Sequence, residues 1–135
     1  MGAHSEGYQT QATGTYAHAE GFSTIASGTG AHAEGNLTTA SSFETHAEGY
    51  GTTASGSGAH AEGSETTASE SNAHAEGAIT VASGYASHAE GQYSQATNAS
   101  AHAEGLGGTY TENNVTYTSI ARGVADHVEG YQCET

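Results

Sequence analysis

Eight copies of His-x-Glu-Gly stand 14 residues apart without slippage, at His4, His18, His32, His46, His60, His74, His88 and His102, and a ninth begins at His127. A period this short and strict makes the chain an array of one small unit, so the fold reduces to how one repeat stacks on the next. It bears on function too. A repeated surface points to a structural or binding role rather than to a single catalytic pocket.

One unit, Thr52-Thr53-Ala54-Ser55-Gly56-Ser57-Gly58-Ala59-His60-Ala61-Glu62-Gly63-Ser64-Glu65, divides into two halves of the form small-x-Ala-x-Gly-x-x. Alternation followed by two turn residues is the signature of a strand and its turn. Two short strands per repeat make one coil of a β-solenoid. Coils stacked ~4.8 Å apart would turn eight repeats into a rod of roughly 40 Å. Thr52, Ala54, Gly56, Ala59, Ala61 and Gly63 are expected inside, where so small a coil admits only small groups. Thr53 and Ser55 on one strand, and His60 and Glu62 on the other, are expected outside. A helix is excluded: the heptad stripe is missing, and the recurrent Gly would cost ~1 kcal/mol each.

The two outward faces differ in constancy. On the Thr53 strand the first outward position runs Gln11, Ile25, Thr39, Thr53, Thr67, Val81, Gln95, whereas His and Glu recur in all eight regular repeats. A solvent-facing strand can vary freely and a packed one cannot. The face made by His18, Glu20, His32, Glu34, His46, Glu48, His60, Glu62, His74, Glu76, His88, Glu90, His102 and Glu104 is therefore expected to pack against copies of the same chain. Energetics point the same way. An Ala/Gly interior worth ~25 cal/mol per Å² does not readily offset ~1–2 kcal/mol of backbone entropy per residue, and association is the simplest remedy.

Stacked glutamates about 4.8 Å apart would repel by roughly 3–4 kcal/mol at an effective dielectric of ~20. A protonated His beside each Glu would relieve this, so the sequence predicts raised imidazole pKa values and greater stability at mildly acidic pH than at alkaline pH.

Composition removes several functions. The 135 residues amount to one domain, with 20 Gly, no Pro or Trp, and Arg122 as the only strong base. Low hydrophobicity with a formal charge of −14 ordinarily means disorder, but disorder need not hold one residue in phase over eight copies. Protonating every His would remove most of that charge. Scarcity of basic residues argues against nucleic acid and against an anionic membrane surface. No stretch approaches the ~20 apolar residues of a membrane span. Cys133, the only cysteine, precludes an intrachain disulfide and a Cys-based metal site. Met1-Gly2-Ala3-His4 enters the repeat at once without a signal-peptide pattern, and we expect a fragment of a longer protein.

The doubled Ala/Ser/Thr-x-Ala-x-Gly-x-x pattern, from Ala3-His4-Ser5-Glu6-Gly7 to Ala101-His102-Ala103-Glu104-Gly105 with interleaved segments such as Thr24-Ile25-Ala26-Ser27-Gly28, covers residues 3–105. It resembles the head repeat of YadA-type trimeric autotransporter adhesins and related repeats of phage tail and appendage proteins, the His-Ala-Glu-Gly wording being closer to the latter. The resemblance implies an all-β fold, a left-handed parallel β-roll or β-solenoid, assembled as a homotrimer on a threefold axis. It also implies a non-enzymatic head or shaft domain on a cell, virion or appendage surface, mediating adhesion to a cell-surface, matrix or glycan ligand. The alternative is a structural spacer in a phage tail fibre or surface appendage. Adhesin heads carry aliphatic residues where this chain has His and Glu, so the interface chemistry differs, and no stalk, anchor or basic neck motif is present in these residues.

His102 and His127 are 25 residues apart, so the last repeat is interrupted. We divide the chain into β-roll head repeats over 1–105, an inserted loop or hairpin over 106–116, and a degenerate terminal repeat over 117–135. Two Thr/Tyr/Val runs around Glu112-Asn113-Asn114 read as a hairpin, entered through Leu106-Gly107-Gly108. Terminal repeats are usually atypical, which favours a cap or inter-chain crossover. The other reading is a protruding element with Tyr110 and Tyr117 as ligand contacts.

Rival constellations are weaker. His-x-Glu without Pro-Cys-x-x-Cys is not a zinc deaminase motif. Asp126, the only Asp, excludes calcium β-roll repeats. A Ser-His-acid set lacks a nucleophile elbow. Three symmetry-related His could hold a metal on an axis, but a hydrogen bond from each His to a Glu is simpler, so neither metal nor cofactor is expected. The ladder Thr39, Ser41, Thr53, Ser55, Thr67, Ser69 could order water as ice-binding solenoids do, but Gln11, Ile25, Val81 and Gln95 interrupt it. Turn aromatics Tyr8, Phe22, Tyr50 and Tyr93 read as solvent-tolerant packing, and the sequons at Asn36, Asn98 and Asn114 as chance.

Overall fold

The computed structural model describes residues 2–106 and 120–130 in full, and the backbone course of 110–112 and 115–117. The chain is a parallel β-solenoid. Each coil contributes one long strand and one short strand. The long strand starts at the repeat's His and spans five residues in the first six coils, as in His60–Ser64, then two in the rest, as in His88–Ala89. The short strand spans two residues, as in Thr53–Ala54. Long strands stack in chain order as a nine-stranded sheet and short strands as an eight-stranded one. No helix among the described residues is long and apolar enough to cross a membrane.

Pairing is in strict register, so like stacks on like. His46 lies against His60, Ala47 against Ala61, Glu48 against Glu62 and Gly49 against Gly63. The expected interior is largely as read: Thr52, Ala54, Ala59 and Ala61 are at most 1% exposed, and Gly56 is buried. The interior is filled by Ala, Thr and Ser, with Val128 in the last coil, because so narrow a coil admits only small side chains. In the Thr slot Thr80 donates to the Glu76 carbonyl at 3.1 Å, whereas the hydroxyls of Thr24, Thr38, Thr52 and Thr66 have no hydrogen-bond partner among the described residues.

Gly63 departs from the expected interior: it is exposed. The chain leaves the extended conformation there, with φ at 105°, so alternation stops after Glu62. Glycine is required at that point for another reason. A Cβ on Gly63 would sit 2.1 Å from the Gly77 carbonyl oxygen of the next coil.

Turns are built from left-handed residues, and most are not glycine. Ser23, Leu37, Glu65, Ile79 and Tyr93 hold φ between 54° and 60°. This conformation costs an ordinary residue roughly 1–2 kcal/mol. The backbone ladder runs through the turns and holds them. Glu65 N–H donates to the Tyr50 carbonyl at 2.7 Å and Ile79 N–H to that of Ser64 at 2.8 Å.

The interruption leaves the stack intact. Ile120–Ala121 pairs with Gln95–Ala96, and His127–Val128 with His102–Ala103. Between them Tyr110–Glu112 and Val115–Tyr117 pair as the expected antiparallel hairpin. Asn113, Asn114 and the side chains of Tyr110 and Tyr117 lie outside the described residues, as do Gly107, Gly108, Asn114's sequon and Cys133.

Two substitution pairs test this account. Ala61→Leu overpacks a single-layer core and should lower unfolding free energy by ~1–3 kcal/mol or more, whereas Thr53→Leu on the outer face should change it by less than ~0.5 kcal/mol. Equal losses in denaturant titrations would mean that inside and outside are exchanged. Gly77→Ala meets the Gly91 carbonyl oxygen at 2.1 Å, whereas an added Cβ at Gly51 meets its nearest atom at 3.5 Å, in a slot filled elsewhere by Leu37 and Ile79. Thermal melting should show a large loss for Gly77→Ala and a small one for Gly51→Ala.

Candidate functional site

The period-2 geometry of the long strand sends His and Glu of each repeat to the same side, two residues apart. In-register stacking then turns eight His into a column. From His18 to His102, and on to His127, adjacent imidazole rings lie 4.7–4.8 Å apart and within 9° of parallel. His4, at the first coil, meets His18 edge-on at 80° instead. The glutamates form a parallel column alongside.

Within each coil His Nε2 lies 3.3–3.7 Å from the Glu Oε2, from His18–Glu20 through His102–Glu104. Sequence reading expected a His–Glu hydrogen bond. The contact is close enough for an ion pair, but only the exposed His4–Glu6 pair has hydrogen-bond geometry, at 3.4 Å. In the seven coils from His18 to His102 the Nε2 atom is buried and finds no hydrogen-bond partner among the described residues. The side chains themselves are about one-third exposed in mid-array, 34% for His60 and 38% for Glu62.

Protonation runs opposite to expectation. The His60 imidazole is held below its ordinary value, first by burial, then by repulsion from His46 and His74, against the opposing pull of Glu62 and Glu48. His88 is lowered in the same way by burial and by His74 and His102, against Glu90 and Glu76. The sequence argument weighed the carboxylate two residues away and missed the imidazoles one coil above and below. In-register stacking places those like groups at ring-contact distance, where charging one penalises charging the next.

All the sequence-derived face residues from His18 to Glu104 come together on this one surface. The ninth copy also belongs to it: His127 stacks on His102 at 4.7 Å and lies 3.7 Å from Glu129. The repeat motif itself was the signal for that residue pair. Among the turn aromatics Tyr8 and Phe22 stack at 5.2 Å, and both are exposed, as are Tyr50 and Tyr93. On the other face Thr39, Thr53 and Thr67 are in register, between Ile25 and Val81.

Fold and surface together define the class: a parallel β-solenoid of 14-residue coils bearing one continuous His/Glu column. No family model matches the chain, and a search of curated proteins finds no significant match.

The lowered values set the sign of a pH effect. A His whose folded pKa lies below the unfolded ~6.5 contributes stability that is fully present above ~6.5 and is lost as pH falls through the folded value. In buffer containing EDTA the chain should melt at a higher temperature at pH 8 than at pH 5.5. The gap should narrow in His60→Gln/His88→Gln. A melting temperature that rises on acidification would restore the charged-imidazole picture.

Proposed function

We propose that this chain is a non-enzymatic, self-associating head or shaft domain of an extracellular fibre, whose copies pack through the His/Glu face as a homotrimer of left-handed β-rolls. The single observation behind this reading is the contrast between the two faces. One face carries His and Glu in every coil and leaves ring nitrogens buried without hydrogen-bond partners among the described residues. The other varies freely from Gln11 to Gln95. An unmet buried polar atom is uncommon in a folded protein, and a neighbouring copy is one way of meeting it. The resemblance to YadA-type heads supplies the stoichiometry and the hand. A thin interior of Ala and Thr gives a second motive for association.

Adhesion or receptor recognition is the proposed role of the assembled domain. The exposed turn aromatics support it: Tyr8, Tyr16, Phe43 and Tyr85 are all more than half exposed. Aromatic side chains supply large rigid contact area, and rings that can stack on a sugar or another ring favour a binding surface over an inert one. A spacer within a longer appendage is the second reading, favoured by the uniform in-register stack from His18 to His127. The two differ in one respect. An adhesin binds cells, matrix or glycans as an isolated domain, and a spacer does not.

Multi-angle light scattering of the purified chain should give three chains per particle, and Glu62→Lys/Glu76→Lys in the proposed interface should shift it towards smaller species. A folded monomer at micromolar concentration would remove the assembly. Binding of the trimer to a glycan array or to intact cells, reduced by Tyr8→Ala/Tyr16→Ala, would separate adhesin from spacer.

A further inference from the structure

We propose that the His/Glu column is a site for divalent transition cations of the zinc class, taken up in discrete His–Glu–His sets along the solenoid. The geometry is that of ligands, with one ring nitrogen from each of two stacked His and one carboxylate oxygen. His46–Glu48–His60, His60–Glu62–His74, His74–Glu76–His88, His88–Glu90–His102 and His102–Glu104–His127 each bring three such atoms within 4.8 Å of one another.

Two observations beyond proximity carry the assignment. The Nε2–Oε2 contacts of these sets, 3.4–3.7 Å long, lack hydrogen-bond geometry, yet match the spacing of two ligands on one cation. Metal–ligand bonds of ~2.0–2.2 Å at a tetrahedral centre place neighbouring donor atoms about 3.4 Å apart. In addition the Nε2 atoms of His46, His60, His74, His88 and His102 are buried without a hydrogen-bond partner among the described residues. A cation on the Nε2–Oε2 edge supplies that partner. Mixed imidazole and carboxylate donors suit Zn²⁺, Ni²⁺ or Cu²⁺, whereas Mg²⁺ and Ca²⁺ prefer all-oxygen shells.

Stacking decides how many ions bind. Two nitrogens on one cation can be at most about 4.2 Å apart, less than the ring spacing, so binding must draw neighbouring rings together in pairs. An Nε2 lone pair serves one cation, and consecutive sets share a histidine. Alternate sets therefore fill, and the densest arrangement among the described residues is three ions per chain: His46–Glu48–His60, His74–Glu76–His88 and His102–Glu104–His127. Water completes each shell. The inference draws on the same unpartnered ring nitrogens as the assembly proposal, but each set lies within one chain, so metal uptake does not need a neighbouring copy.

The test is calorimetric titration of the EDTA-treated, dialysed full chain with zinc sulfate at pH 7.5, with magnesium chloride as control. Saturation near three zinc per chain is expected, with no heat from magnesium. His60→Gln/His88→Gln breaks every set except the last and should leave one zinc per chain. The isosteric Glu48→Gln/Glu76→Gln/Glu104→Gln keeps all the rings and leaves intact only His60–Glu62–His74 and His88–Glu90–His102, which share no histidine, so saturation should fall to two zinc per chain. Circular dichroism melts report whether each variant retains the solenoid, and the Glu-to-Gln variant covers the case in which ring removal unfolds it. Cobalt substitution should give the intense visible bands of a tetrahedral site. Absence of zinc heat, or unchanged stoichiometry in both variants, overturns the proposal. Light scattering in EDTA reads self-association separately, so a trimer that binds no zinc would sink this inference alone.

Discussion

Everything in this molecule follows from the distance between successive coils. Backbone hydrogen bonds fix that distance at the inter-strand spacing of a β-sheet, and the imidazole column reproduces it at 4.7 Å. At that spacing the next coil's backbone occupies the place where a side chain on Gly63 would project. The same ladder continues around the turns, where it holds residues such as Ile79 in a conformation that a β-branched side chain avoids. A coil taken alone has neither hydrogen-bond partners for its strands nor anything to restrain its turns. The array is consequently the folding unit, and the coil is not.

In-register stacking costs a column of Ala nothing, since it is a packed core. In the buried Thr column Thr80 reaches a carbonyl, whereas the hydroxyls of Thr24, Thr38, Thr52 and Thr66 have no hydrogen-bond partner among the described residues. For ionisable residues the same register is a liability, because each group meets its own kind on both sides. His60 and His88 resolve this by staying neutral more readily than free imidazole. The glutamates keep contact with water, with Glu62 more than a third exposed. Solvent screening reduces their mutual repulsion well below its dry value. The result is a stripe of carboxyl groups lined by imidazole nitrogens.

How far the sequence could be read is set by which properties are periodic. The solenoid, its coil length, the Ala interior and the shared His/Glu face were all legible, because each is a statement about which residues recur at which phase. The position of Gly63 was not. Small residues alternate up to that point, and the pattern cannot distinguish a glycine that fills an interior from one that admits a carbonyl of the next coil. Imidazole protonation was misjudged for a related reason. Glu62 is two residues from His60 in the chain and obvious, whereas His46 and His74 are fourteen residues away in sequence yet in ring contact. Stacking neighbours are invisible to a reading along the chain unless the register is taken literally. Hairpin pairing between Tyr110–Glu112 and Val115–Tyr117 was legible from β-rich runs around Asn, but what its side chains meet is not a property of the repeat.

The break after Leu106 shows where such a fold can accept variation. Tyr110–Glu112 and Val115–Tyr117 pair as a hairpin, and the stack continues at Ile120 with the register to Gln95 unchanged. Insertions at a turn are tolerated because coil-to-coil pairing depends on the strands and not on the length of chain between them. The faces obey the opposite rule: a change in one coil is felt by the coils above and below it. Novel recognition is therefore most easily acquired at turns and insertions, while the faces multiply whatever chemistry they already carry. Binding to such a face would be polyvalent from the outset. A partner with its own repeat near 4.7 Å would engage many weak contacts together, and its affinity would depend on matching that spacing more than on any single contact.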